Sequence, residues 1–185
     1  MNARTVWIIL FRGVGGSTRL PVAPLRQKLA EAGFAKVATY INSGNAIVES
    51  DRLRVAAVKR IAEICAREFG FEKDIYAVSL AEWEALIETN PFPGAVAVPK
   101  FLLAAVLAGE PEPEPEPEKA ESLRVVAAPG EALAVIGRVA YIHTPGGFGG
   151  SKLAAKFGKG IGVPNTARNW NTVLKLAELA GAAAA

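Results

Sequence analysis

The chain has 185 residues and is 51% hydrophobic, which excludes a globally disordered protein and suffices for one larger domain or two small ones. Its 21 Lys and Arg against 18 Asp and Glu leave a formal charge of +3, too mild to mark a nucleic-acid-binding protein by itself. The distribution is basic over 1–80 (12 cations, 7 carboxylates), acidic over 81–150 (4 and 10) and basic over 151–185 (5 and 1), which reads plainly as solvated surface and alternatively as two basic patches.

Val6 to Phe11 is a β-rich run ended by R-G-V-G-G-S and reads as a buried strand. It falls far short of the roughly 20 apolar residues of a transmembrane helix and lacks the length of a signal peptide core. A cytoplasmic protein with no membrane association is therefore expected. Pro24 to Ala32 follows as a helix with Leu25 and Leu29 inward and Gly33 closing it. Val37 to Ile41 is a strand, Asn42-Ser43-Gly44-Asn45 a turn, and Ala46 to Glu49 the returning strand. Asp51 to about Phe69 is a long helix with Val55, Val58, Ile61, Ala62, Cys65 and Phe69 on its apolar side, and Gly70 stops it. Ile75 to Val78 is a strand. The order β-α-β-β-α-β predicts an α+β fold of ferredoxin-like type, one sheet with two helices on one face.

Ser79 and Glu82 have the spacing of a capping box for a short helix to about Glu88. Asn90-Pro91-Phe92-Pro93-Gly94 breaks the chain and sets a predicted boundary between a domain at 1–89 and a second, smaller α+β domain at 90–185. Phe101 to Leu107 reads as a strand. Glu and Pro alternate from Glu110 to Glu118, which favours an extended, exposed, acidic loop. Lys119 to Leu123 is a helical turn, and Leu133–Ile136 with Val139–His143 form a hairpin around Gly137-Arg138. Ser151 to Phe157 is a helix, after which Gly158, Gly160 and Gly162 loosen the chain. A last helix opens near Thr166 and is expected to pack at the seam between the halves. The second half is an imperfect echo of the first.

Several blocks in order then resemble one bacterial family, the domain of unknown function DUF1697. They are Arg12-Gly13 with Gly15-Gly16, Pro21, Leu25-Arg26, Thr39 to Asn45, Asn90-Pro91-Phe92, Ser151-Lys152-Leu153 and Thr166 to Thr172. On these blocks the resemblance extends to about Gly181. It implies a two-part α+β protein and assigns no activity, substrate or cofactor. Members carry a first loop of the form R-G-I-N-V-G-G. Here the loop is two residues shorter and lacks the asparagine, so a function of that asparagine would not carry over.

Residue chemistry supplies four candidate ligand-binding blocks. In the first, Arg12, Gly13, Gly15 and Gly16 follow a buried strand, where glycine amides converge on anions; neither a dinucleotide fingerprint nor a Walker loop is present, and a structural turn is the plainer reading of the glycines. In the second, Asn42, Ser43 and Asn45 could read base edges, though a tight hairpin is the plainer reading. In the third, Ser151 is a natural helix cap, and Lys152 sits in a first turn where the dipole disfavours cations, a mismatch that a bound anion would repair. In the fourth, Arg168, Asn169 and Asn171 crowd the start of the last helix, where bonding to loop backbones as structural glue is the plainer reading and the lining of a cleft the alternative. Together these predict an interdomain cleft for an anionic ligand, nucleic acid or a phosphorylated small molecule. An enzyme of unknown reaction class and a non-enzymatic interaction protein, the latter using the Glu-Pro run, are the alternatives. His143 is the only histidine and Cys65 the only cysteine, so no metal and no cofactor are expected; Cys65 reads as a buried small hydrophobe.

Overall fold

A computed structural model describes residues 4–15, 18–41, 44–108 and 117–185. The Gly16, Ser17, Asn42 and Ser43 readings, and nearly all of the Glu-Pro run, lie outside the described residues. The chain divides into two compact units, Met1–Ala85 with Lys175–Ala185, and Leu86–Leu174.

The first unit runs β1 (Thr5–Phe11), α1 (Val22–Glu31), β2 (Ala35–Thr39), β3 (Asn45–Ser50), α2 (Arg54–Phe69) and β4 (Ile75–Ser79), and α3 (Leu80–Glu88) starts within it. The sheet is antiparallel in the order β2-β3-β1-β4. β1 is central, with Leu10 opposite both Asn45 and Tyr76. Trp7, Ile9 and Phe11 pack on Leu25, Leu29, Ile61 and Cys65 of α1 and α2. The intervening Ile8 and Leu10 are buried as well. Burial on both faces explains a continuous apolar run in place of an alternating one. Gly70 ends α2 in the left-handed conformation, φ +62°, as its position predicts. α2 opens at Arg54 rather than Asp51, with Leu53 at the cap and no side-chain capping bond, and Val55, expected on the apolar side, is exposed in its first turn while Ala57, Ile61, Ile64 and Cys65 face the core.

The second unit repeats this path. β5 (Leu102–Leu107), α4 (Pro117–Val125), β6 (Ala132–Ile136), β7 (Val139–His143), α5 (Lys152–Gly160) and β8 (Asn165–Asn169) form an antiparallel sheet in the order β6-β7-β5-β8. Each position matches its counterpart in the first sheet, and α6 (Trp170–Ala184) follows β8 as α3 follows β4. The echo is thus a full topological duplication of the ferredoxin-like βαββαβ path plus one helix. Ala105, Leu107, Ala140 and Ile142 pack on Leu123 of α4, on Leu153 and Phe157 of α5, and on Ile161 just after it.

Three sequence expectations are corrected in this unit. Asn165–Asn169, expected to fall around a helix start at Thr166, is an edge strand whose Thr166 pairs with Val106. Thr166 therefore does not cap the last helix, which begins at Trp170. Pairing with β5 satisfies backbone groups that five polar-rich residues would otherwise leave to solvent, and this outweighs their weak strand propensity. Lys119–Leu123 is the middle of a nine-residue helix. Gly158 and Gly160 lie inside α5 rather than after it. Gly160 has a packing reason: a Cβ there would meet Leu123 Cδ2 at 2.8 Å.

Candidate functional site

The topology of the first sheet gathers three segments at one end. β1 leaves it, while β3 and β4 enter it, because both pair antiparallel with β1. The Arg12 loop, the turn before β3 and the Lys73-Asp74 segment before β4 therefore meet. The Phe11 amide donates to the Gly44 carbonyl at 2.8 Å, and the Arg12 amide to the Asp74 carbonyl at 3.0 Å. Two of the predicted blocks are thus brought together. Gly44, at φ +77°, is so close that a Cβ would lie 2.7 Å from Val14 Cγ2.

Arg12 donates through Nη1 to Asp74 Oδ2 at 3.0 Å, in an exposed ion pair. Gly13 has φ +67°, and the Lys73 side chain lies over it, with Cδ 3.2 Å from where a Cβ would be. Lys73 Nζ reaches Thr18 Oγ1 at 3.5 Å, at the long limit of a hydrogen bond. Among the described residues Lys73 has no carboxylate partner. Gly15 and Thr18 exchange backbone bonds of 2.7 and 3.0 Å that close the loop. Beside Arg12, the Tyr76 hydroxyl is buried and makes no hydrogen bond of good geometry among the described residues. Burial raises its pKa, the Asp74 carboxylate raises it further, and Arg12 acts in the opposite direction.

Asn45 is buried, and its Nδ2 donates to the Tyr40 carbonyl at 3.2 Å. It holds the hairpin shut and presents no free edge to a ligand through this group. Sequence reasoning missed Lys73. The signal was present in the predicted topology, since the residues before β4 must lie beside those after β1.

The remaining candidates belong to the second unit. Ser151 caps α5 as expected, its Oγ accepting from the Ala154 amide at 3.0 Å. Lys152 follows, exposed. Arg168 is half-buried on β8 and donates through Nη1 to Thr166 Oγ1 at 2.9 Å and to the Ala167 carbonyl at 2.7 Å. Burial pushes its pKa down to about 10. Its neighbour Ala167 packs in the cluster beneath α5, so strand alternation sends Arg168 to the opposite face of the sheet. Lys152, on α5, and Arg168 therefore do not share a surface. Asn169 is the cap of α6, its Oδ1 accepting from the Thr172 amide at 3.0 Å. Asn171 is exposed in the first turn.

On the sheet face that carries Arg168, Tyr141 is fully buried. Its hydroxyl donates to the Leu86 carbonyl at 2.7 Å and lies 3.0 Å from Thr89 Oγ1. Cys65 is buried in the first core, and burial pushes its thiol up to about 12. That protonated thiol is no nucleophile at neutral pH. Among the described residues, no three His, Cys, Asp or Glu side chains group to hold a metal ion.

The family model described as "Protein of unknown function (DUF1697)" matches residues 4–141. The chain belongs to the DUF1697 family. The match takes in the Arg12 loop, the turn before β3 and Asn90-Pro91-Phe92, and it ends before Ser151-Lys152-Leu153 and Thr166–Thr172. The conserved bacterial protein SP0830 from Streptococcus pneumoniae has a similar fold, with a TM-score of 0.73 and 23% identity over 96% of this chain and 99% of that one. No curated protein matches. The DUF1697 chain has no helix among its described residues long and apolar enough to cross a membrane.

Proposed function

We propose that this DUF1697 protein binds an anionic ligand, a small molecule carrying a phosphate or carboxylate, at the loop end of its first sheet. The observation that carries this reading is the position of Lys73. Its ammonium lies over a glycine loop and beside a hydroxyl, while the adjacent carboxylate, Asp74, is taken by Arg12. A single contact of 3.5 Å leaves most of the donor capacity of an ammonium to solvent or a ligand. An oxyanion there would accept from Lys73 and from the Thr18 hydroxyl together, in charge-assisted bonds stronger than the present contact. Arg12, Gly13 and Gly15 frame that position.

The test compares melting temperatures in chloride and in phosphate at matched ionic strength. A ligand that binds only the folded state raises Tm, so wild type should gain a phosphate-specific increment. Lys73→Ala should lose it, Lys73→Arg should keep part of it, and Lys59→Ala, an exposed lysine on α2, should keep it all. An absent increment in wild type, or an equal one in Lys73→Ala, refutes the site.

A further inference from the structure

The outward side of α5 carries Lys152, Lys156 and Lys159. Their spacing of four and three residues puts them in one stripe, about 10 Å long at 1.5 Å per residue. All three are exposed, and none has a carboxylate partner among the described residues. Ion pairs form readily elsewhere on this chain, as in Lys28 with Glu31 and Arg124 with Glu121. The opposite side of the helix is spent on the core, through Leu153 and Phe157. Beside the stripe the surface is low. Ala155, Gly158 and Gly160 of α5, with Ser122, Leu123 and Val126 across from them, line an open groove of about 610 Å³ that is bordered by Lys156 and Lys159 and does not reach Lys152.

We infer that this face of α5 is a docking surface for the phosphate backbone of a nucleic acid. Three aligned ammonium groups are what a row of phosphates needs, and contacts of this kind require no base-reading side chain. The small residues beside the stripe let a bulky sugar-phosphate chain approach the helix. An acidic protein would also meet the charge. However, protein interfaces draw their energy from central aromatic, Met or Arg anchors, and the exposed side of α5 has none. The absence of an exposed aromatic on α5 also removes base stacking as a source of affinity, so binding should be indifferent to sequence. This surface uses none of the residues of the Lys73 site, and either reading can fail alone.

The experiment is fluorescence anisotropy with a labelled mixed-sequence 20-mer, as RNA single strand and as DNA duplex, across salt. Three phosphate contacts predict that raising salt from 50 to 200 mM weakens duplex binding roughly 40-fold and single-strand binding roughly 20-fold. The triple variant Lys152→Gln, Lys156→Gln, Lys159→Gln should lose measurable binding while keeping the wild-type circular dichroism spectrum. A charge-matched control, Lys59→Gln, Lys100→Gln, Lys175→Gln, should bind within about threefold of wild type, because nonlocal charge is screened beyond a Debye length. Equal loss in both triple variants would reduce the effect to net charge and overturn the surface. So would no binding of either probe at 50 mM salt, unchanged binding by the α5 variant, or polyglutamate displacing both probes as effectively as unlabelled nucleic acid does. The duplex and single-strand arms identify which form of nucleic acid is taken.

Discussion

Replacing Gly44 by alanine tests how tightly the turn before β3 is pressed on the end of β1. Two costs arise. The first is conformational. Gly44 holds φ at +77°, where an L-residue pays about 1–2 kcal/mol, offset by roughly 0.4–1 kcal/mol because alanine has less freedom to lose on folding. The second is steric. The new Cβ would lie 2.7 Å from Val14 Cγ2, 2.9 Å from Phe11 Cβ and 3.1 Å from the Phe11 carbonyl oxygen. Val14 can move, but Phe11 is buried in the first core and its amide is bonded to Gly44 itself. Overpacking of this kind costs about 1–3 kcal/mol. Gly70 supplies the control, since it holds φ +62° and a Cβ added there would meet nothing within 4 Å among the described residues. Gly70→Ala should therefore cost about 1 kcal/mol and Gly44→Ala about 2–4 kcal/mol. Urea denaturation followed by circular dichroism measures both, and their difference isolates the steric part. A Gly44→Ala loss no larger than that of Gly70→Ala would refute the contact between turn and strand.

Asn169→Ala should destabilise by about 1 kcal/mol through loss of the α6 cap, while Asn169→Asp should hold stability, both read by the same denaturation. Burial alone would raise the Glu82 pKa, but hydrogen bonds from Arg54 and from Ser79 outweigh it and hold it below the ordinary carboxylate value. A carboxyl depressed in the folded state adds stability above its unfolded pKa and loses it as pH falls through the folded one. Glu82→Gln should therefore flatten the acid limb of the stability-pH curve and leave its alkaline limb unchanged, and an unaltered acid limb would count against the pairing. Cys65, buried and with its thiol pushed up to about 12, should react with a thiol-specific disulfide reagent at pH 8 only as fast as the first unit opens. Labelling at the rate of a free thiol would contradict its burial.

The sequence alone was enough to determine most of the first unit. V-W-I-I-L-F, the helical spacing through Ile61 and Cys65, and the Ser79 to Glu82 capping box are local signals. The capping box forms as spaced, with the Ser79 amide donating to Glu82 Oε2 at 2.8 Å. Burial on two faces, helical period and helix capping are properties of neighbouring residues, so they leave a readable trace. The hairpin around Gly137-Arg138 and the Ser151 cap were legible for the same reason.

What only tertiary structure decided depends on partners distant in the chain. Asn165–Asn169 has no strand pattern of its own and becomes β8 because β5 offers an unpaired edge. That pairing turns Arg168 away from α5 and makes Asn169, not Thr166, the cap of α6. Gly158 and Gly160 stay helical because packing on Leu123 and the core contacts of Leu153 and Phe157 outweigh their low propensity. Lys73 joins the Arg12 loop only when β1 and β4 lie side by side, a pairing between segments some sixty residues apart. Side-chain placement at a sheet end is set by which strands pair and in what register, and local periodicity carries no record of that choice.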